Sequence, residues 1–373
     1  MRDQRNQTHS KMSAATEFFA PEHQQPQDWT RLAAYFKSKG HEFSPDPAPK
    51  QFSGGMGNLN YLIRLDGKEA VLRRPPVGPL PPGGNDMGRQ YRVLSRLWRT
   101  FALAPRGFVF GEDAAILGAP FFIMEYRPGL VIRDVVPPAV IPRTGELSEK
   151  LIGILAEVHA VDPKEVDLDT LGNPDGFLRR AVDGWIKRCA VASADVYPGK
   201  GQHPAAREIG EWLARQTPPA GGVSLLHNDF KLNNIIWRAE AAQGGPLAPV
   251  ALLDWDMCTR GDPLFDFATL VSYWIEPGDP KSMHEMGQMP TARTPGWLSR
   301  RQAVELYARK TGRDVSNFHF YRVLTAFKLY IIFLQIYARY CRGTTADPRI
   351  KALGPTADGL IGFAHDIMKG RAF

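Results

Sequence analysis

His227-Asn228-Asp229-Phe230-Lys231-Leu232-Asn233-Asn234, followed by Leu252-Leu253-Asp254-Trp255-Asp256, is the stretch on which the reading of this chain turns. Asp229 and Asn234 stand five positions apart, and Asp254 closes an apolar run. They form a set of hard oxygen donors, the kind that suits Mg²⁺, an ion that keeps several waters and takes one or two protein carboxylates beside phosphate oxygens. A carboxylate such as Asp229 can also orient a hydroxyl and accept its proton. An Asp and an Asn at this spacing are, alone, ordinary turn formers. The weight lies in the order: an apolar strand, His-x-Asp, an Asn five residues on, a second apolar strand, then Asp-Trp-Asp.

Around that stretch the pattern is mainly helical. The strands 235–237 and 250–253 flank a Gly/Ala/Pro loop, and Gly261-Asp262-Pro263-Leu264-Phe265-Asp266 reads as a helix-capping segment in which both acids are structural. Helices are expected over 146–160, 179–188 and 205–215, with a long helical region from 302 onward. The aromatic spacing of Phe327, Tyr330, Phe333, Leu334 and Tyr337 marks a core helix, and the apolar run 329–334 is too short to cross a bilayer. His159, at the end of a Leu/Ala-rich helix, reads as a satisfied core histidine.

Upstream the character is β-rich. Asp28 caps a helix over 29–39. Strands follow at 51–52, 60–65 and 70–74, with Asp66-Gly67 as the hairpin turn. Asp86 opens a helix to 99 with Met87, Tyr91, Leu94 and Leu97 on one face. Apolar strands at 109–110 and 121–125 are separated by a turn around 111–113, and 126–129 is a connector. The expectation is an α+β protein of three parts: a poorly ordered segment 1–27, a small antiparallel-sheet lobe 28–126, and a larger helical lobe 127–373, with a ligand cleft between the lobes.

Composition narrows the class. The 373 residues carry a net charge of +7, yet Lys and Arg form no run of five or six and no pattern interleaved with aromatics. An anionic small substrate accounts for the excess as well as nucleic acid would, and no nucleic-acid or membrane partner is expected. Three scattered cysteines show neither disulfide nor metal-ligand spacing, and the polar N-terminus is no secretory signal. A cytoplasmic location is expected.

The motifs resemble those of the aminoglycoside phosphotransferase-like branch of the protein-kinase-like fold, over roughly 28–370. Within it they are most similar to the kinase-like domains associated with acyl-CoA dehydrogenases. The resemblance implies a two-lobed phosphotransferase using ATP, with GTP left open, and Mg²⁺. It implies Asp229 as catalytic base, Lys231 at the γ-phosphate, Asn234 and Asp254 as metal ligands, and His227 as the brace of the loop. Ser53-Gly54-Gly55-Met56-Gly57-Asn58 stands where the family has its nucleotide-positioning loop, although by itself it is also an ordinary hairpin turn. Gly54, Gly55, Gly57 and Asn58 are therefore candidate nucleotide contacts.

Arg73 and Gln90 match the third-strand cation and its helix partner, with Arg74 open as an alternative because the register can slip by one. Gln90 departs from the Glu usual there and supplies no countercharge. Glu125 and Tyr126 lie where a hinge would meet adenine, or where a strand simply ends. The acceptor implied is a small hydroxylated metabolite, a hydroxyacyl-CoA or related hydroxy acid. The basic segment 177–215, with Arg179, Arg180, Lys187, Arg188, Lys200, Arg207 and Arg215, favours an anionic one. An antibiotic kinase and a nucleotide-binding pseudokinase are the rival readings.

Overall fold

The computed structural model describes residues 18–54, 57–78, 85–286, 289–345 and 347–373. Of the N-terminal segment 1–27, residues 1–17 thus lie outside the described residues. From Phe18 the chain is pinned: Phe18 bridges Phe52 with their rings 4.9 Å apart, and Gln51 bonds to both Gln24 and Gln25.

The first helix, α1 (Trp29–Ser38), starts where Asp28 accepts the Arg31 N–H at 2.9 Å, satisfying an amide that has no partner in the first turn. Leu32 and Phe36, one turn apart, are its buried stripe. The sheet then begins with β1 (Lys50–Gln51), β2 (Leu59–Leu65) and β3 (Lys68–Arg74). Asp66 and Gly67 join β2 to β3 with positive φ at both positions, 50° and 73°. Such a turn matches the twist of the flanking strands. The resulting register buries Tyr61, Ile63 and Leu65, which pack with Leu32, Phe36, Leu72, Phe121 and Ile123 in a small-lobe core.

In α2 (Met87–Leu97) one residue of the expected face differs. Tyr91 is half-buried, stacked on Phe110 at 5.4 Å between ring centroids, and the buried position falls to Gln90. A polar side chain is tolerated there because both ends of its amide are hydrogen-bonded. After β4 (Gly107–Gly111), the expected turn is followed by a single helical turn, α3 (Ala114–Leu117), between the Asp113 cap and Gly118 at φ 80°. With β5 (Phe121–Glu125) the antiparallel sheet is complete in the order β1-β2-β3-β5-β4.

Past the connector come β6 (Leu130–Val131), α4 (Thr144–Ala160), α5 (Phe177–Val196), α6 (Pro204–Gln216), β7 (Ser224–Leu226), β8 (Ile235–Trp237), β9 (Pro249–Leu252) and β10 (Thr259–Gly261). The chain closes with α7 (Pro263–Tyr273), α8 (Lys281–Met286), α9 (Arg300–Thr311), α10 (Phe318–Cys341), α11 (Pro348–Lys351) and α12 (Leu353–Met368). Two antiparallel pairings position the functional loops: β8 with β9, and β7 with β10. The loop 227–234 runs from β7 to β8 and the loop 253–258 from β9 to β10, so both are held at each end and lie side by side.

The helix α10 is the axis of the large lobe, flanked by α5, α7 and α12. Its 24 residues are long and apolar enough to cross a membrane by composition, although 78% of its most apolar window is buried inside the fold. Its apolar surface thus belongs to the core, as the aromatic spacing indicated. The protein is a two-lobed α+β fold, with a small antiparallel-sheet lobe and a larger helical lobe.

Candidate active site

Asp266 organises the loop that leaves β7. Its carboxylate accepts the His227 N–H at 2.6 Å and the Asn228 N–H at 2.8 Å, from the first turn of α7, whose cap is Asp262. Burial pushes the Asp266 carboxyl up, but the His159 contact at 3.2 Å and the nearby His227 outweigh this and hold it below the usual carboxylate range. His159 also meets the Tyr307 hydroxyl at 2.6 Å, so it is a satisfied core histidine. Asn228 takes a left-handed backbone (φ 63°), which Asn tolerates better than most residues.

His227 Nε2 lies 2.9 Å from the Leu253 carbonyl. A carbonyl only accepts, so Nε2 carries the proton and Nδ1 receives the Asp229 N–H at 3.3 Å. The histidine braces the loop against the end of β9 and against its own next turn. Lys231 Nζ donates to both Asp229 carboxylate oxygens, at 3.1 and 2.9 Å. Asn234 Nδ2 donates to the Asp229 carbonyl at 2.8 Å. With that amide nitrogen engaged, the Asn234 side-chain oxygen is the atom left to face a cation.

Asp254, also left-handed (φ 66°), pairs with Arg73 Nη2 at 2.6 Å. Burial raises its carboxyl, and the positive charge of Arg73, foremost among the opposing groups, keeps it below its ordinary value. Among the described residues no group of three or more His, Cys, Asp or Glu gathers to hold a metal. Asn234 and Asp254 offer instead one amide oxygen and one ionised carboxylate. That is the provision suited to a Mg²⁺ whose remaining ligands are phosphate and water, so the donor chemistry fits.

The small lobe supplies the opposite wall. Arg73 donates from Nε to Gln90 at 2.8 Å and from Nη1 to Asn60 at 3.3 Å. Arg74 is buried on the other face of β3, bonded to the Gln27 side chain and the Leu117 carbonyl, so it is Arg73 that points into the cleft. Gly54 lines the cleft, where an added Cβ would collide with the Arg133 guanidinium. Asn85 Nδ2 ties down the end of the loop through the Gly57 carbonyl (2.6 Å) and the Asn58 side chain (2.8 Å). Gly55 lies outside the described residues.

Between the lobes is a cleft of about 190 Å³, with Val71, Leu94, Met124, Val131 and Ile236 among its apolar walls. Glu125 and Tyr126 line it at the hinge. The Glu125 carboxylate is held by Arg127 at 2.8 Å and accepts the Arg106 N–H at 3.2 Å, while its own N–H bonds the Arg106 carbonyl. The Glu125 amide is therefore already engaged and is not the donor for a base edge.

Three contributors were given no role by the sequence motifs. Asn60 and Asp256 join the Arg73 network from elements far apart in sequence. Lys328, on α10, lies under the loop, 3.3 Å from Thr269 Oγ1 and 3.5 Å from the Asn228 carbonyl, with Phe265 beneath it at 5.1 Å. Burial lowers its pKa to about 8, against the pull of Asp229. Its one sequence signal is a lysine inside an apolar helical stretch.

The sequence profile of the phosphotransferase enzyme family, APH, matches residues 49–302. Acyl-CoA dehydrogenase family member 11 of Gallus gallus is 30% identical over 306 residues, covering 80% of this chain and 37% of that protein. The chain thus spans little more than a third of the length of this curated relative. A candidate aminoglycoside phosphotransferase from Ralstonia eutropha superimposes with a TM-score of 0.75 at 22% identity, over 92% of this chain and 99% of that one. A thermostable mutant of the aminoglycoside phosphotransferase APH(4)-Ia, in ternary complex with AMP-PNP and hygromycin B, superimposes with a TM-score of 0.52 at 16% identity, over 89% and 98% of the two chains. At these identities the structural likeness is one of fold.

Proposed function

This chain belongs to the phosphotransferase enzyme family, and on that premise we propose that it transfers the γ-phosphoryl group of ATP to the hydroxyl of a small anionic metabolite. The observation that carries the reading is the joining of two loops: Asn234 Nδ2 donates to the Asp229 carbonyl, the Leu253 N–H beside Asp254 donates to the Asn234 carbonyl at 2.8 Å, and Arg73 of the facing lobe lies 2.6 Å from Asp254. Asp229 orients the acceptor hydroxyl and takes its proton as the new P–O bond forms and the bond to the ADP oxygen breaks. Lys231, already held on Asp229, and Arg73 place positive charge where phosphate charge develops. Asn234 and Asp254 would hold Mg²⁺, which supplies charge neutralisation between phosphates. Gly54, Gly57 and Asn58 cover the phosphates, and the hinge at Glu125 and Tyr126 receives the base. Fold neighbours solved in complex with AMP-PNP and with GDP support nucleotide binding.

For the acceptor, the similarity to acyl-CoA dehydrogenase family proteins favours a hydroxyacyl-CoA or a related hydroxy acid. The electrostatics favour an anion, with one adjustment to the tally of basic residues. Arg179 and Arg180 are tied to Asp183 and to backbone carbonyls of their own lobe. The cations around Asp229 are instead Lys231 and Lys328, with Arg188 stacked on Trp185 at 4.7 Å and Lys328 5.9 Å from the same ring. A polycationic aminoglycoside would meet repulsion there.

Calorimetric titration with ATP, with and without Mg²⁺, followed by ADP release across hydroxyacyl-CoAs, hydroxy acids and aminoglycosides, tests the reading. Mg²⁺-dependent binding and turnover of an anionic acceptor are expected. Turnover of aminoglycosides alone would reassign the chain to the antibiotic kinases, nucleotide binding without turnover of any acceptor would make it a pseudokinase, and absence of nucleotide binding would overturn the reading.

A further inference from the structure

Asp256, two residues beyond Asp254, takes its hydrogen bonds from the small lobe. Gln90 Nε2 donates to its Oδ1 at 3.0 Å and the Asn85 N–H to its Oδ2 at 3.3 Å. Arg89 reaches its backbone carbonyl at 2.6 Å and its Oδ1 at 3.6 Å. The same Gln90 accepts Arg73 Nε at 2.8 Å, and the same Asn85 holds Gly57 and Asn58. One carboxylate is thereby joined to the phosphate-facing arginine and to the glycine loop at once.

We infer that Asp256, acting through the amide of Gln90, is a positioning residue for the nucleotide site: it orients Arg73 and latches the loop 57–58 to the segment that carries Asp254. The orientation of the amide is forced from both ends. Arg73 Nε only donates, so it faces Oε1; the Asp256 carboxylate only accepts, so it faces Nε2. A glutamate at position 90 would still satisfy Arg73, but it would set two carboxylates about 3 Å apart around a side chain that is 1% exposed. Like charges so close and poorly solvated cannot both stay ionised without cost. Gln90 therefore does not leave Arg73 without a countercharge. Asp254 supplies one directly and Asp256 supplies another through the amide.

The inference rests on the assignment of Arg73 and Asp254 to the nucleotide, and its test separates the two. MgATP is titrated calorimetrically into the full chain and into Gln90→Glu, Asp256→Asn and the double variant. Gln90→Glu is expected to weaken binding about tenfold or more, roughly 1.4 kcal/mol. The double variant is expected to return to within about threefold of wild type, because the introduced amide donates to the introduced carboxylate and the clash of charges is gone. A merely structural role for either residue predicts losses that accumulate instead. Binding by Gln90→Glu as tight as wild type, or a double variant weaker than both singles, overturns the relay alone. A wild type that binds no MgATP overturns the nucleotide site and the relay with it. Should Gln90→Glu fail to fold, the double variant is read by itself, near-wild-type binding supporting the relay and loss overturning it.

Discussion

Asp229 carries Lys231 on both of its oxygens, so the carboxylate proposed as base is held in place before any substrate arrives. Replacing Asp229 with Asn keeps an acceptor oxygen and removes the proton sink. Turnover is expected to fall about 10²–10⁴-fold, the range typical of a positioned general base, with MgATP affinity unchanged, in single-turnover measurements of ADP formation. An equal loss of nucleotide affinity would place Asp229 in the phosphate site instead. This residue, with Asn234 and Asp254, was a candidate from sequence because the motifs that hold the three resemble those of a known family. The environment of Gln90 was not. As a neutral residue in place of an acid it reads as a weakened clamp. The structure shows its amide satisfied at both ends, by Arg73 and by a residue 166 positions away.

At the scale of elements, α7 is the platform of the loop 227–234: its first turn presents Asp266 to two successive backbone N–H groups. Asp266→Asn removes a buried charge that several donors share, and is expected to cost about 3 kcal/mol. The sign of its pH dependence follows from its lowered pKa. The contribution is complete above the unfolded value of about 4 and is lost as pH falls through the folded value. Urea denaturation of wild type and variant over roughly pH 3–7 should show the gap narrowing only at the acid end. A gap constant across that range would mean that Asp266 acts by packing. Most of these elements were legible from periodicity and turn chemistry, as with Asp66-Gly67 and the Asp28 cap. The short helix Ala114–Leu117 was not, because four residues carry too few repeats to show a period.

For the molecule as a whole, the cleft lies between lobes with their own sheets and cores, and a ligand that contacts both must stabilise the assembly. At a concentration about 100-fold above Kd, MgATP should add about 2.7 kcal/mol, read as a rise in thermal midpoint. The Mg²⁺-dependent part of that rise should vanish in Asp254→Asn, and its persistence would take the metal away from Asp254. By itself the sequence determined a two-lobed α+β kinase-like protein and its phosphotransferase family, and it singled out Asp229, Asn234 and Asp254 as candidates. The order of strands and helices is written in local periodicity and turn residues, which backbone geometry converts directly into structure; the family and its candidate residues came from the resemblance that the motifs carry. Only the tertiary structure decided that Arg73 rather than Arg74 faces the cleft, that Lys328 is buried under the loop, and that Asp256 completes the Arg73 network. Those facts depend on which elements pack together, and contacts between residues tens to more than 150 positions apart leave no period in the chain to read.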